Sequence, residues 1–333
     1  MRSFLRRRPL LGRLSVRTAT AGVAVSLLAA GCSIGGGGSS KDVSAGSLAQ
    51  GASLSGATLT VGGKEFTEQL VLCQMTIQAL RSAGATVNEK CGLTGSSTVR
   101  TALTSGQIDM YWEYTGTAWI TFLGHTTPIV DPTQQYQAVA QEDLAKNQLE
   151  WLKPAPFNNT YAIAVKETVA QQLGVKSISD YAKLAKTDPA KASLCVASEF
   201  VGRNDGLPGL EKAYGFTRPP DTATLAEGAI YNSVAKSSPC NFGEATTTDG
   251  RIKGLQLITL VDDKNFFPVY NPAVTLKKSI ADANPNIAKV LNPIADALDT
   301  ATVQDLNTQV DIAGKQPADV AKTWLQSKGF IGK

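Results

Sequence analysis

The sequence predicts an α/β protein of two domains, and three observations carry this. A chain of 333 residues is longer than one hydrophobic core usually organises. Short apolar runs alternate with longer stretches of helical period, and strand, helix and strand in succession imply parallel βαβ units. Two extended, proline-bearing stretches, 151–157 and 266–272, offer places where the chain passes from one domain to the other.

The net charge of +4 comes from the start of the chain. Arg2, Arg6, Arg7, Arg8, Arg13 and Arg17 precede residue 32, and no acid does. Without those six, 26 basic residues face 28 acidic ones, a net of −2. A near-neutral protein has no field to attract nucleic acid, and no nucleic-acid partner is expected. The arginines lead into an apolar run from Ala19 to Ala30, too short to span a bilayer. It ends Leu28-Ala29-Ala30-Gly31-Cys32, which resembles a bacterial lipobox, where the cysteine receives the lipid. Arg7-Arg8 with Leu10-Leu11 also loosely resembles a twin-arginine signal. A plain secretory signal cut elsewhere is the alternative. Residues 1–32 are therefore read as an export signal, with Cys32 as the lipidation site. Residues 33–56, rich in Gly, Ser and Ala, are read as a flexible tether. The protein is expected outside the cytoplasm, lipid-anchored to the outer face of the cytoplasmic membrane or periplasmic.

Setting Cys32 aside leaves Cys73, Cys91, Cys195 and Cys240. An even number in an exported chain suggests two disulfides. Cys73–Cys91 and Cys195–Cys240 are favoured, since each pair falls within one domain. No CxxC pair occurs and His125 is the sole histidine, so neither a metal nor a cofactor is expected.

The elements follow in order. Leu59–Gly62 is a first strand, and 63–69 turns into a helix with Leu70, Leu72, Met75, Ile77 and Leu80 on its apolar faces. Thr67 or a neighbour caps it, and Gly84 ends it. Thr86–Cys91 is the second strand, and 97–105 a helix. Ile108, Met110 and Trp112 alternate with Asp109 and Tyr111, as in a short strand. Tyr114-Thr115-Gly116-Thr117 is a turn with an N-cap, followed by the helix of Ala118-Trp119-Ile120. Residues 142–148 close a polar helix, 151–157 is extended, and 158–165 is a strand. A helix begins near Ile178, capped by Ser179 or Asp180, and 192–197 is a buried strand. A polar loop over 199–206 leads into the helix of 207–214. Residues 227–234 are helical, 246–250 a turn, and 255–260 a strand. After 266–272 the chain alternates helices and polar turns to about Trp324. No internal repeat is visible.

The centre of the chain holds Tyr111, Trp112, Tyr114 and Trp119 within nine residues. In an open α/β sheet, strand ends and helix starts face the binding crevice. Rings placed there suit an apolar cation, because a ring face is electron-rich. Packing of the domain core is the competing reading of the same residues.

Several blocks resemble the substrate-binding proteins of bacterial ABC transporters for quaternary ammonium compounds, the binders of glycine betaine, choline and carnitine. They are Lys64-Glu65-Phe66-Thr67-Glu68-Gln69, Gly106-Gln107-Ile108-Asp109-Met110-Tyr111 and Glu113-Tyr114-Thr115-Gly116-Thr117. Asn159-Thr160-Tyr161-Ala162, Glu199-Phe200 with Arg203 and Asp205-Gly206, Thr248-Asp249-Gly250-Arg251, and Phe267-Pro268-Val269-Tyr270 continue the series. The resemblance implies a two-lobed, periplasmic-binding-protein-like fold of type II, with a two-crossing hinge that closes on the ligand. It implies lobe 1 from 57–158 with 269–333, and lobe 2 from 159–268. It implies a monomer that carries a small quaternary ammonium solute to an ABC permease in the membrane; the alternatives are the same fold binding an amino acid or other zwitterionic solute, or a lipoprotein without a transport role.

In that family the methylated nitrogen sits among aromatic rings, since it cannot donate a hydrogen bond. Carried over, Tyr111 or Tyr114 would supply the ring of the first lobe, with Tyr114 preferred. Tyr161 and Tyr270 lie at the crossings, and Asn159 is close to Tyr161. Arg203 would hold a ligand carboxylate through its planar fork, and Gln69 and Thr115 would bond from the first lobe. The alternative for Arg203 is an ion pair with Glu199 or Asp205. Tyr231 is read as packing. Family members often carry a tyrosine just before Thr-Asp-Gly, where this chain reads Ala245-Thr246-Thr247. Thr246 therefore leaves the ring set incomplete unless another residue closes it. An enzyme reading has little to rest on. A Ser-His-Asp triad would depend on His125, and neither Gly-x-Ser-x-Gly nor a phosphate-binding Gly-Lys loop occurs.

Overall fold

The first strand, β1, Thr58–Lys64, lies second in its sheet. The structure is a computed structural model and describes residues 43–333. The export signal and Cys32 lie outside the described residues. The other strands are β2 Thr86–Leu93, β3 Met110–Tyr114, β4 Leu149–Trp151, β5 Tyr161–Lys166, β6 Leu194–Val196, β7 Ala223–Thr224, β8 Phe242–Thr246, β9 Leu257–Thr259 and β10 Pro272–Lys277.

They form two five-stranded sheets, ordered β2-β1-β3-β10-β4 and β7-β6-β8-β5-β9. In each sheet three parallel strands are followed by an antiparallel fourth. That fourth strand is the one entered just after a crossing. β5 follows the first crossing and lies between β8 and β9. β10 follows the second and lies between β3 and β4. The molecule is thus two-lobed, and each lobe takes one strand from the chain's passage through the hinge. β10 escapes the sequence reading, which places only helices and turns after 272. Its residues Ala273-Val274-Thr275-Leu276 are β-formers, but their partners lie more than a hundred residues earlier.

The helix Thr67–Ser82 is buried on nearly every side, with Met75, Ile77 and Leu80 in the first core beside Val61, Trp112 and Leu325. Phe66, not Thr67, takes the N-cap position, and the Thr67 hydroxyl bonds Asp311 at 2.6 Å. The second sheet is covered on both faces. Ile163, Leu194, Phe200 and Phe242 pack on one side, and Ala164, Cys195, Ile230 and Val234 on the other. The helix Ile178–Thr187 is capped by Ser177, two residues before Ser179, the nearer of the two expected caps, in a reciprocal box with Asp180. The later part of the stretch read as a tether is docked on the fold. Leu48, Ala52 and Leu54 are buried in the first core, and Ala45 pairs with Ile331. Three apolar side chains at the end of a Gly/Ser-rich stretch are enough to dock it.

Both disulfides join the expected pairs, Cys73 to Cys91 and Cys195 to Cys240. The first staples the helix Thr67–Ser82 to β2, and the second closes a separation of 45 residues in the second lobe. Closing a loop of that length removes about 4 kcal/mol of denatured-state entropy on the chain-entropy account. Cys195→Ala with Cys240→Ala should therefore lower the urea midpoint well beyond error. Loss below about 1 kcal/mol would show that the second lobe does not depend on the staple.

Candidate functional site

The two crossings run side by side and hold each other. The Asn159 amide donates to the Tyr270 carbonyl at 3.1 Å, and the Tyr270 amide to Asn158 Oδ1 at 2.7 Å. Between the lobes lies a cavity of ≈ 810 Å³. Tyr114, Asn159, Tyr161, Arg203, Thr246 and Tyr270 all line it, together with Phe66.

Tyr114 ends β3, and its hydroxyl donates to Glu68 at 2.6 Å. Its ring lies 6.1 Å from that of Phe66, inclined by 27°. Tyr161 begins β5, with its ring 5.5 Å from Tyr270 in an edge-on arrangement and 5.0 Å from Phe200. The Tyr270 hydroxyl donates to Asp205 at 2.7 Å. Gly116 explains the Tyr-Thr-Gly-Thr block in part. A Cβ there would stand 2.7 Å from the Tyr270 ring and 2.8 Å from the Val269 carbonyl. Glycine is what lets the second crossing press against the start of this helix.

Three expected residues lie off the cavity. Tyr111 is fully buried on the far side of β3 among Val99, Leu103 and Ile108, and its hydroxyl bonds Glu113 at 2.8 Å. β3 is buried on both faces, so alternation alone could not say which ring faces the cleft. Gln69 ties strand ends together, accepting from the Lys64 amide and donating to the Trp112 carbonyl at 2.9 Å. Thr115 holds the second crossing, donating to the Val269 carbonyl and accepting from the Asn271 amide. Tyr231 is buried and does not line the cavity.

Arg203 is spoken for. Its fork grips Asp205 at 2.8 and 2.5 Å, and a third nitrogen bonds Glu199 at 2.8 Å. The ion-pair alternative is what the geometry shows, and little of the guanidinium is left for a ligand carboxylate. Glu199 in turn reaches across the cleft. Ser96 donates to it from its amide at 3.0 Å and from its hydroxyl at 2.6 Å. Burial works to raise the Glu199 carboxyl, but the charges of Lys64 and Arg203 and the Ser96 bonds hold it at about 2. Thr117 of the first lobe accepts from Arg203 at 3.3 Å.

Sequence reasoning passed over four acids and a lysine. Lys64 lines the cavity, paired with buried Glu113 at 2.7 Å, its ammonium 5.1 Å from the Tyr114 ring centre. Glu68 joins four segments, accepting from Tyr114, Thr248, Asn159 and Asn307. Glu227 and Glu244 also border the cavity. Lys64 and Glu68 sit in the Lys-Glu-Phe-Thr-Glu-Gln block, where the charge density was the available signal. Glu244 gave none, as it follows Phe242-Gly243 in an undistinguished strand. His125 stacks on Trp119 at 3.5 Å and bonds Glu142, which accounts for it without any catalytic role.

Residues 57–327 match the family described as the substrate binding domain of ABC-type glycine betaine transport systems. The chain belongs to that family. It is 40% identical over 281 residues to a glycine-betaine-binding protein of Pseudomonas aeruginosa, covering 82% of this chain and 89% of that one. It is 35% identical to the glycine betaine-binding protein YehZ of Escherichia coli, covering 81% and 90%. A crystal structure of a glycine betaine/carnitine/choline ABC transporter protein superposes with a TM-score of 0.66 at 26% identity, covering 82% of this chain and 99% of that one. The family is one of solute receptors, and the chain is not an enzyme.

Proposed function

We propose that this protein binds a quaternary ammonium osmoprotectant, glycine betaine, choline or a similar solute, in the cleft and delivers it to an ABC permease. One observation carries the reading. Tyr114, Tyr161 and Tyr270 come from the first sheet, the second sheet and the second crossing, and border one cavity. A methylated nitrogen is held by such rings through electrostatics and dispersion, worth roughly 0.5–2 kcal/mol each. Three rings contribute a large share of the about −8 kcal/mol that micromolar binding needs. The lobes, 57–158 with 269–333 and 159–268, would close around the solute, and the closed form is what a permease recognises. The receptor acts as a monomer outside the cytoplasm, exported by residues 1–32 and anchored through a lipid on Cys32.

Calorimetric and thermal-shift titration of residues 43–333 with glycine betaine, proline betaine, choline and carnitine tests this, with proline and glycine as controls. A hundredfold excess of a true ligand should stabilise the fold by about 2.7 kcal/mol. Silence toward every methylated ammonium compound would overturn the assignment.

A further inference from the structure

We infer that Glu244 and Glu227 make this cleft selective for a quaternary ammonium ion with net positive charge, over a zwitterion that also carries a carboxylate. The inference rests on the function proposed above and concerns which member of that class is bound.

The charges lining the cleft are unequally satisfied. Lys64, Arg203 and Arg251 are its basic residues, and each already holds a carboxylate at close range. Lys64 has Glu113, Arg203 has Asp205 and Glu199, and Arg251 has Asp249 at 2.5 Å. Two of the acids that line it are not matched in turn. Glu244 is 4% exposed and lines the cavity. One of its oxygens accepts from the Ala197 amide at 2.6 Å, and the other has no hydrogen-bond partner among the described residues. Glu227, partly buried at the start of the helix Glu227–Lys236, has no hydrogen bond to either oxygen among the described residues. Among the described residues no basic side chain forms an ion pair with either of them.

Glu244 also stands close to the position that lacks a ring. It lies two residues before Thr246 in β8, on the same face; Thr246 pairs with Tyr161 on the neighbouring strand, and Glu244 with Ile163. Two positions along β8 from the threonine that lacks a ring, this chain offers the cavity a carboxylate. A carboxylate serves a cation as well as a ring does, and repels the carboxylate of a betaine. With Arg203 already gripped by two acids, nothing in the cleft compensates that repulsion.

Burial raises both carboxyls. Glu227, facing Asp249, Arg251, Glu65 and Glu199, is pushed up to about 8, and Glu244, facing Glu227, Glu199 and Arg203, rises well above its ordinary value. An entering cation favours the ionised form and displaces a proton. Affinity for a cation should therefore rise with pH as these carboxyls ionise, Glu227 through about 8.

The test compares choline with glycine betaine by calorimetry on the described domain, wild type, Glu244→Gln and Glu227→Gln, at about pH 6 and about pH 9. Glutamine at 244 keeps an acceptor for the Ala197 amide. Glu227→Gln disturbs no hydrogen bond and covers the case in which the first variant does not fold. The wild type should prefer choline by on the order of tenfold, more at the higher pH, and each variant should lose most of that preference and its pH slope. A wild-type preference for glycine betaine, or a ratio unmoved in both variants, would overturn this inference and leave the proposed function standing. If neither compound nor any other methylated ammonium binds, both fall.

Discussion

Tyr161→Ala is expected to weaken binding of the preferred quaternary ammonium by about 30-fold, since a desolvated cation–π contact is worth about 2 kcal/mol and each 1.4 kcal/mol is tenfold. Tyr161 is chosen because it opens β5 directly after the first crossing, with Phe200, Phe267 and Tyr270 within 6.0 Å of its ring centre. Those neighbours pack the ring, which lines the cavity. The ring centre lies 5.6 Å from the Arg203 guanidinium, so this ring already neighbours a positive charge. Tyr161→Phe is the control. The Tyr161 hydroxyl makes no hydrogen bond among the described residues, and phenylalanine should bind nearly as well as tyrosine. Removing the ring also leaves a void, at about 3–5 kcal/mol of stability. Titration is therefore done well below the melting transition, with the fold checked by circular dichroism. Binding by Tyr161→Ala within about threefold of wild type would remove this ring from the site.

How far the site was legible follows from the range of the interactions. The strand and helix at 58–82 could be read directly, because their signals are local and periodic. Tyr161 and Tyr270 could be placed at the crossings, because proline punctuates the chain there. Tyr111 and Tyr114 could not be separated by pattern. β3 is buried on both faces, and period 2 identifies a side only when one side is wet. Gln69 and Thr115 sit in the recognisable blocks, yet they brace the backbone around the cleft and do not enter it. Their hydrogen bonds run to backbone groups of β1, β3 and the second crossing. Thr115 meets Val269 across 154 residues, and Glu68 meets Thr248 across 180, so no window along the chain contains both partners. Arg203 shows the opposite case. Its partners Glu199 and Asp205 are four and two residues away, and the ion pair could be anticipated from spacing alone.

Glu68→Ala is expected to cost on the order of 3 kcal/mol of stability or more and to loosen the two lobes from each other. Glu68 is buried in the first lobe and accepts four donors from separate places. Tyr114 donates at 2.6 Å from β3, Thr248 at 2.5 Å from the second lobe, Asn159 at 3.2 Å from the first crossing and Asn307 at 3.3 Å from the helix Thr300–Asp311. Alanine leaves these donors without their acceptor in a closed site, at roughly 1–3 kcal/mol for each that finds no substitute. Asn159 keeps Thr248 as an acceptor at 2.5 Å, which limits the sum. Glu68→Gln retains the size and one acceptor oxygen, and should cost about 1–3 kcal/mol. Burial also raises the Glu68 carboxyl against the pull of its four hydrogen bonds. The folded chain then binds more protons than the unfolded one just above the ordinary carboxylate range. This group's contribution falls as pH rises through that window, and Glu68→Ala should remove the slope. The coupling has its own readout. Trp112, Trp119, Trp151 and Trp324, the four tryptophans, all lie outside 159–268, so their fluorescence follows the first lobe while circular dichroism follows both. In wild type the two urea transitions should coincide, and in Glu68→Ala they should separate. A variant within about 1 kcal/mol of wild type, with transitions still coincident, would show that the lobes are joined by the crossings alone.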